Sequence, residues 1–516
     1  GNERPIAIFA KVSRRDFIYM LLMPEHPEYG KVMKFIGETS APSMKMRRLQ
    51  YVAGDVETRI PSLALWTRLE KEENETPTIR SIHYLGSKLR MLEAIKESVD
   101  EVVTGEGAIC DLFSGSGTVS KYFLQYRDVI SVDIQKYSQV ICEASMQLLT
   151  EVPNINVILQ DIKNHNVSSA LEDCFYELIE YEKKCTSMAK SGNIAALYEI
   201  IEYGSLYTLE NGQPDELTTE LKACMELCLS KIKESALLDS VDSMICRYFG
   251  GLYFSYEQSV ALDCIAHWVF EQNELIHTKA LAALLSTASD IVNTVGKQFA
   301  QPLKVRNNKG ELKASLLNKI ITDRSEDVYT IFAKWLNYYF SAGDNTHKCF
   351  TICDDYTNAL EQLKKCDVSV VYADPPYTRY HYSRYYHVLE TICLRDNPEV
   401  STTFPNGKGG ISRAIYRRER HQSPFCIKSQ AEGAFDVLFQ KVKELKVPLV
   451  LSYSPFDATK AVTPRLQTID QLVEKAKNYF TEVTVVSPGE FTHSKLNSTE
   501  KNFEANHEAE LLIVCR

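Results

Sequence analysis

The stretch that decides the fold is residues 108–118, which read AICDLFSGSGT. It opens with a short apolar run that predicts a strand, and its glycines let the backbone turn sharply behind that strand. Residues 129–132 predict a second strand, which ends at Asp133. A helix is expected from about 137 to 150. This order of elements is typical of a doubly wound α/β sheet: a strand, a glycine turn, a helix, and a second strand that ends in an acid.

The strand pattern breaks between about residues 166 and 345. Apolar residues recur there every three or four positions, which predicts helices. Strand patterns return at 368–372, 448–453, 483–486 and 511–515. We therefore predict an α/β fold, with a Rossmann-like doubly wound sheet that is interrupted by a large helical insertion.

Four parts of the chain follow from this pattern. Residues 1–70 form an N-terminal segment of unknown role, in which two short apolar runs predict strands. A first part of the sheet domain, which binds a cofactor, spans 79–165. The helical insertion spans 166–345. The second part of the sheet domain spans 346–516.

Composition limits the class of protein. Of the 516 residues, 44% are hydrophobic and 24% are charged, which excludes a disordered or fibrous chain. No apolar run reaches the length of a membrane-spanning helix, and charge with Pro5 occupies the place of a signal-peptide core. We expect a cytoplasmic protein with no membrane partner. The irregular spacing of the 14 cysteines predicts reduced thiols and no metal site.

The glycine turn indicates a cofactor site. A glycine-rich turn followed by a strand-terminal acid suits NAD, FAD or S-adenosylmethionine, because the acid can accept hydrogen bonds from both ribose hydroxyls. The turn lacks the third glycine of a GxGxxG motif, and Asp111 opens it. An acid there would repel a pyrophosphate but suits the amino group of a methionine moiety.

A second motif indicates the chemistry. Residues 370–377 read VVYADPPY, an apolar strand that ends in two prolines. Because proline cannot continue a central strand and fixes φ, the chain must leave the sheet here in a rigid loop. The loop offers a carboxylate, prolyl carbonyls and an aromatic ring at the carboxyl edge of the sheet, where ligands of such folds bind. These groups suit a planar amine on a ring.

Together, Asp374–Tyr377 (DPPY) and the turn at 111–118 resemble the amino-group DNA methyltransferases that use S-adenosylmethionine. Residues 84–88 (YLGSK) resemble the aromatic-Gly-Lys motif that precedes the turn in Dam-like (alpha-group) adenine-N6 methyltransferases. The order of motifs also matches, with a target-recognition insertion before DPPY. The resemblance covers residues 80–165 and 346–516, but no motif covers the insertion.

The resemblance implies roles for individual residues. Tyr84 and Lys88 would lie near the methionine end of the cofactor, and Asp133 would bind its ribose. Asp355, or else Asp354, would accept from its adenine amine. The remaining implied residues hold the cofactor, its adenine ring or the target amine, and are Asp111, Phe113, Ser114, Gly115, Gly117, Tyr356, Asp374, Pro375, Pro376 and Tyr377.

The implied reaction is site-specific transfer of a methyl group to N6 of a flipped adenine in double-stranded DNA, since a stacked base is out of reach. The enzyme would be prokaryotic, and either solitary or part of a restriction–modification or phage-defence system with a partner endonuclease or defence subunit. Two alternatives are enzymes that methylate N4 of cytosine or a base amine in RNA. A third alternative is a catalytically silent DNA-binding subunit. An oxidoreductase fits only the glycine turn. Cytosine-C5 chemistry is disfavoured because the sequence has no Pro-Cys nucleophile.

Basic residues predict where DNA would bind, although the net charge is −10. The loop 401–430 interleaves cations with aromatic rings, and residues 296–320 carry a second basic run. A solvated basic surface is the alternative for both. The candidate phosphate-binding residues are Arg379, Arg384, Lys408, Arg413, Arg417, Arg418 and Arg420, with Lys297, Lys304 and Arg306 in the second run.

Overall fold

The structure is a computed structural model, which describes residues 6–11, 17–22, 81–84, 88–211, 217–343, 346–376, 381–402, 410–454, 465–487 and 510–516. The chain divides into two compact units, Gly1–Ile79 and Arg80–Arg516. In the first unit, strands β1 (Ile6–Lys11) and β2 (Phe17–Leu22) pair antiparallel, as the two apolar runs predict. Within these ranges, no helix has the length and apolar character needed to cross a membrane.

In the second unit, the described strands form one seven-stranded sheet in the order β5-β4-β3-β6-β7-β9-β8. The strands are β3 (Ala108–Leu112), β4 (Val129–Asp133), β5 (Cys349–Cys353), β6 (Val368–Ala373), β7 (Leu449–Tyr453), β8 (Val483–Val486) and β9 (Leu511–Cys515). The first five in this order are parallel, and β9 is antiparallel to both of its neighbours. The carboxyl ends of β3–β7 and the amino end of β9 therefore meet at one edge.

Helices cover both faces of this sheet, because alternate strand residues point to opposite sides. Ile109 and Val370 pack with α1 (Leu92–Val102), α2 (Thr118–Phe123) and α3 (Lys136–Met146). Their neighbours in sequence, such as Cys110 and Val371, pack on the other face. The helices there are α14 (Tyr356–Leu363), α17 (Ala431–Leu445) and α18 (Ile469–Ala476).

Between β4 and β5 the described chain is mainly helical and has its own apolar core. Its helices are α4 (Ile155–Asn164), α5 (Asn166–Lys190), α6 (Ala195–Tyr203), α7 (Leu206–Glu210), α8 (Thr219–Glu234), α9 (Met244–Phe249), α10 (Tyr256–Phe270), α11 (Glu274–Ile291), α12 (Leu317–Arg324) and α13 (Val328–Ser341). Two further helices, α15 (Tyr382–Tyr385) and α16 (His387–Leu394), follow β6.

The predicted fold class is confirmed, since a mainly parallel sheet carries a long helical insertion. The helices begin at Ile155, before the predicted start at 166. Strand β5 was not predicted, because none of its residues is fully buried and its sequence, CFTIC, mixes polar and apolar residues. The division into domains at 165 and 345 stays a prediction.

Candidate active site

A cleft opens at the carboxyl edge of the sheet, around the central strands β3 and β6. The chain reverses its direction of winding there, and ligands of open α/β sheets bind at such points. Residues from each predicted motif line the cleft, namely Tyr84, Lys88, Leu112, Phe113, Asp133, Asp354, Asp355, Tyr356, Asp374, Pro375 and Pro376. The fold therefore brings together motifs that lie up to 292 residues apart in sequence, from Tyr84 to Pro376.

The glycine turn requires its glycines. Gly115 has a φ of 54°, and a Cβ there would lie 2.7 Å from the ring of Tyr84. Gly117 has a φ of 71°, and a Cβ there would lie 2.8 Å from Sγ of Cys142. Ser114 donates to the carbonyl of Val132. Backbone conformation and close packing thus both exclude larger residues, and the turn brings the chain next to Tyr84.

Asp133 fixes this turn from the neighbouring strand. Its Oδ2 accepts from the amide of Gly115 at 2.9 Å, and its Oδ1 accepts from the amide of Gln135 at 2.9 Å. Burial raises the pKa of Asp133, although these hydrogen bonds oppose the rise. The carboxylate lines the cleft, and each oxygen has a further lone pair to offer a ligand.

The position of Asp111 corrects one prediction. Its carboxylate faces the start of α2, where Oδ2 accepts from the amide and the hydroxyl of Ser120 at 2.9 and 2.6 Å. Asp111 is 1% exposed and does not line the cleft. Burial raises its pKa to about 7. Direct contact with a cofactor is therefore wrong for this residue, which instead anchors the helix behind the turn.

An aromatic wall lies beside the two acids that follow β5. The ring centroid of Tyr356 is 5.8 Å from that of Phe113 and 5.2 Å from that of Phe425. Asp355 caps α14, with Oδ1 accepting from the amide and hydroxyl of Thr357. Asp354 accepts from the side chains of Asn358 and Gln362. Both acids line the cleft and retain acceptor capacity toward it.

Asp374 forms an ion pair that joins two of the motifs. The Nζ of Lys88 lies 2.6 Å from Oδ2 of Asp374 and 3.1 Å from Oε1 of Glu510. Ser452 donates to the other oxygen of Glu510. Burial alone would lower the pKa of Lys88, but the two carboxylates raise it well above its usual value. Lys88 thus stabilises negative charge at Asp374.

Sequence reasoning missed Glu510, which is 1% exposed. The signal was an acid directly before the last apolar strand. Strand β9 runs antiparallel to β7, and Leu511 at the start of β9 pairs with Tyr453 at the end of β7. The amino end of β9 therefore lies at the same edge of the sheet as the carboxyl end of β7. The sequence does not reveal that strand direction. His421, Ser423 and Tyr382 also line the cleft without having been predicted.

Three of the cations that were predicted to contact DNA form ion pairs within the protein, although Arg306 remains exposed. Arg417 is 7% exposed, and its guanidinium donates two hydrogen bonds to Asp396, at 2.7 and 2.6 Å. Arg306 pairs with Glu202 at 2.8 Å. Lys297 pairs with Asp323 at 3.0 Å, and burial lowers the pKa of that lysine.

The other predicted cations are better placed for a polyanion. Arg413, Arg418 and Lys304 are exposed, although Arg418 contacts Glu399 and Arg413 donates to the carbonyl of Leu303. Arg384 and Arg420 both lie over the ring of Tyr416. Tyr377, Arg379 and Lys408 lie outside the described residues.

The sheet topology, with a glycine turn and strand-end acids around one cleft, is consistent with a methyltransferase fold that carries helical insertions. Residues 84–213 match the model of the D12 class N6 adenine-specific DNA methyltransferase family. The match begins at Tyr84 and extends into the insertion.

Three curated relatives are bacterial modification enzymes. The chain is 24% identical over 435 residues to "Modification methylase LlaI" of Lactococcus lactis subsp. lactis, covering 84% of this chain and 54% of that protein. It is 22% identical to "Type II methyltransferase M.FokI" of Planomicrobium okeanokoites, covering 72% and 44%. It is 23% identical to "Type II methyltransferase M.NlaIII" of Neisseria lactamica, covering 70% and 80%.

The chain thus spans about half the length of the first two relatives. The family match and the relatives confirm the prediction that the chain is an enzyme.

Proposed function

We propose that the chain is a Dam-like methyltransferase that moves a methyl group from S-adenosylmethionine to N6 of a flipped adenine in double-stranded DNA. The modification enzymes among its relatives favour a role in restriction and modification, with an endonuclease as partner. One observation carries the proposal. Asp374 lies in the same cleft as the glycine turn and Asp133, and its ion pair with Lys88 joins it to the motif at residues 84–88.

The residues of the cleft fit S-adenosylmethionine. Asp133 would accept from the ribose hydroxyls, and Asp355 or Asp354 from the adenine amine. Tyr356 and Phe113 offer apolar rings beside that position. The tight approach of Gly115 to Tyr84 leaves no space for a side chain in the turn, which suits close contact between backbone and ligand. The bound cofactor would supply an electrophilic methyl group, and its sulfur would keep the electron pair of the broken S–CH₃ bond and leave as a neutral thioether.

The chain's own groups would prepare the nucleophile. The lone pair of an adenine amine is delocalised into the ring, so it is a weak nucleophile. Hydrogen bonds from the amine to Asp374 and to the carbonyl of Pro375 favour a more tetrahedral nitrogen, whose lone pair is free to attack. As the N–C bond forms, the amine loses a proton, which leaves through Asp374 or water. The remaining rate enhancement is proximity and orientation, with no covalent enzyme intermediate.

The test combines methylation-aware sequencing with a single substitution. DNA from cells that express the protein should carry N6-methyladenine at one sequence motif. Asp374→Ala should reduce this methylation about 100- to 1,000-fold, the order expected when a group that holds the reacting atom is removed. Asp239→Ala, an exposed acid in the insertion, is the matched control and should keep wild-type methylation.

Each other outcome has a clear meaning. Methylated cytosine N4, or methylation of RNA alone, would replace adenine in DNA as the substrate. Wild-type methylation by Asp374→Ala, with the variant folded by circular dichroism, would refute the assigned site.

A further inference from the structure

A cluster of two histidines and a glutamate lies in the helical insertion, away from the motifs of the cleft. His165 stands between α4 and α5, His267 lies in the last turn of α10, and Glu271 caps the carboxyl end of that helix. One nitrogen or oxygen from each residue lies within 4.8 Å of the others. The i, i+4 spacing of His267 and Glu271 places both side chains on one face of the helix end.

We propose that this cluster is a binding site for a divalent transition metal, with Zn²⁺ as the first candidate. Two imidazoles and a carboxylate are a common protein ligand set for Zn²⁺, with water completing the tetrahedron. The distance between Nε2 of His267 and Oε1 of Glu271 is 3.4 Å, and Nε2 of His165 lies 4.0 Å from Oε2 of Glu271. Ligand atoms on one tetrahedral Zn²⁺ with bonds of about 2.0–2.1 Å lie roughly 3.3–3.5 Å apart. The three ligand atoms, which lie within 4.8 Å of one another, would move closer together to bind one ion.

A second observation concerns how His267 is held. Its Nδ1 lies 2.8 Å from Oδ1 of Asp242, which also contacts Arg395. The other oxygen of Asp242 accepts from Ser240. A carboxylate on Nδ1 fixes the tautomer that leaves the Nε2 lone pair free, and metal-binding histidines usually have such a partner.

The Nε2 atom of His267 is buried and makes no hydrogen bond to any described residue. The imidazole rings of His267 and His165 are adjacent, with their centroids 4.4 Å apart. A buried nitrogen acceptor without a donor is unfavourable, and a cation at this point would satisfy it.

His165 must change one contact to bind the metal. Its Nδ1 accepts a long hydrogen bond, 3.3 Å, from the amide of Val167 at the start of α5. Coordination through Nε2 moves the proton to Nδ1, so this cap bond is lost as the metal bond forms. Metal binding to structural sites is much stronger than one helix cap, so the exchange is favourable.

The site would fasten parts of the molecule that are distant in sequence. His165 belongs to the α4–α5 junction and His267 to α10, while Asp242 is joined to Arg395, the residue that ends α16. The guanidinium of Arg395 also lies over the ring of Phe270, 4.9 Å from its centroid. A bound metal would therefore stabilise the insertion and its contact with the segment after β6.

The experiment measures metal rather than methylation. The full chain is purified without a polyhistidine tag, stripped with a chelator, and titrated with Zn²⁺ against a chromogenic chelator. Co²⁺ replaces Zn²⁺ in a parallel titration, because its visible absorption reports coordination geometry. We expect one Zn²⁺ per chain, a tetrahedral Co²⁺ spectrum and a higher melting temperature with Zn²⁺.

Variants locate the metal. His267→Gln and Glu271→Gln should each weaken Zn²⁺ binding at least 100-fold. Asp242→Asn removes no ligand and should weaken it about 10–100-fold. His347→Gln is the matched control, because His347 also contacts a carboxylate, that of Asp128, but lies in no such cluster. Melting curves without metal show that each variant folds.

Two results would overturn the proposal. One is the absence of Zn²⁺ binding at micromolar concentration in the stripped wild-type protein. The other is unchanged stoichiometry and affinity in the His165→Gln/His267→Gln double variant, which would assign the metal to other groups, such as the exposed thiols of Cys353 and Cys366.

Discussion

The triad of Lys88, Asp374 and Glu510 concentrates two negative charges around one positive charge. Lys88 and Glu510 are buried and depend on their partners, whereas the side chain of Asp374 is 20% exposed and lines the cleft. The ammonium group of Lys88 is thus shared between Glu510 and Asp374. Glu510 is a positioning residue, since it reaches the proposed target amine only through Lys88.

Glu510→Gln tests this arrangement. With one anion gone, Lys88 should bind Asp374 more tightly and make that carboxylate a poorer acceptor for an amine. We expect kcat for methyl transfer to fall about tenfold, while KM for S-adenosylmethionine stays within about twofold. Steady-state kinetics with DNA substrate measure both.

Glu482→Gln is the control, because Glu482 is an exposed acid near the start of β8 that pairs with Arg516. A purely structural role for Glu510 would lower the melting temperature without changing kcat of the folded fraction, and that outcome would contradict the prediction.

Asp263, deep in the insertion, makes stability depend on pH. Its two oxygens accept from the amides of Ile245 and Cys246, at 3.0 and 2.8 Å. Burial nevertheless raises its pKa from 3.8 to about 7. Between these values the folded state keeps a proton that the unfolded state releases. Stability should therefore fall as pH rises from about 4 to about 7, by up to about 4 kcal/mol.

Asp263→Asn removes this titration. Between pH 4.5 and 8, the urea unfolding midpoint should decrease with pH more steeply in the wild type than in the variant. A pH-independent difference in stability between the two proteins does not affect this comparison of slopes. Asp239→Asn, in an exposed position, should follow the wild-type curve. Parallel curves for wild type and Asp263→Asn would show that Asp263 does not carry the effect.

Among the elements, α16 supports the part of the sheet that faces the cleft. Glu390 in this helix accepts from the amides of Lys136 and Tyr137, both at 3.0 Å, and so caps the start of α3. That start follows Asp133 and Gln135, which line the cleft. The segment after β6 therefore helps to set the position of the acid that follows β4.

Glu390→Ala should weaken the binding of S-adenosylmethionine about three- to tenfold, since a lost helix cap costs about 1 kcal/mol and here loosens a wall of the cleft. Isothermal titration calorimetry measures the affinity. Asn154→Ala removes a similar cap, from α4, at a site outside the cleft. It should lower the melting temperature but leave the affinity unchanged, and equal losses in both variants would contradict the prediction.

The elements were predictable from sequence where a pattern was local. Strands β3, β4 and β6 follow from short apolar runs that end in Gly, Asp or Pro, and α1 follows from its spacing of apolar residues. The direction of Asp111 was not predictable, because it depends on where the hydroxyl of Ser120 lies after the chain turns into α2. The same limit applies to Arg417, whose pairing with Asp396 depends on tertiary structure.

At the scale of the whole molecule, the insertion is joined to the sheet domain by buried polar contacts. Lys279 of α11 is fully buried, and its ammonium group donates to the carbonyls of Ala144, Tyr339 and Ala342. It thereby links the carboxyl ends of α3 and α13. The contact explains how a long helical segment between two sheet strands can keep a fixed position relative to the cleft. No local pattern in the sequence indicates it.

The charges of the whole molecule allow a last prediction, which separates cations that bind DNA from cations that hold the fold. The net charge of −10 disfavours approach to DNA, so affinity must come from local exposed cations. Lys304→Glu and Arg418→Glu change exposed residues, and each should reduce the slope of log K against log salt by about 1. Arg417→Ala instead leaves Asp396, whose side chain is 42% exposed, without its bidentate partner, so it should lower stability by about 1–2 kcal/mol. Salt titrations of DNA binding and urea unfolding of all three variants distinguish the two roles. If Arg417→Ala reduces the salt slope but keeps wild-type stability, Arg417 contacts DNA and does not stabilise the fold.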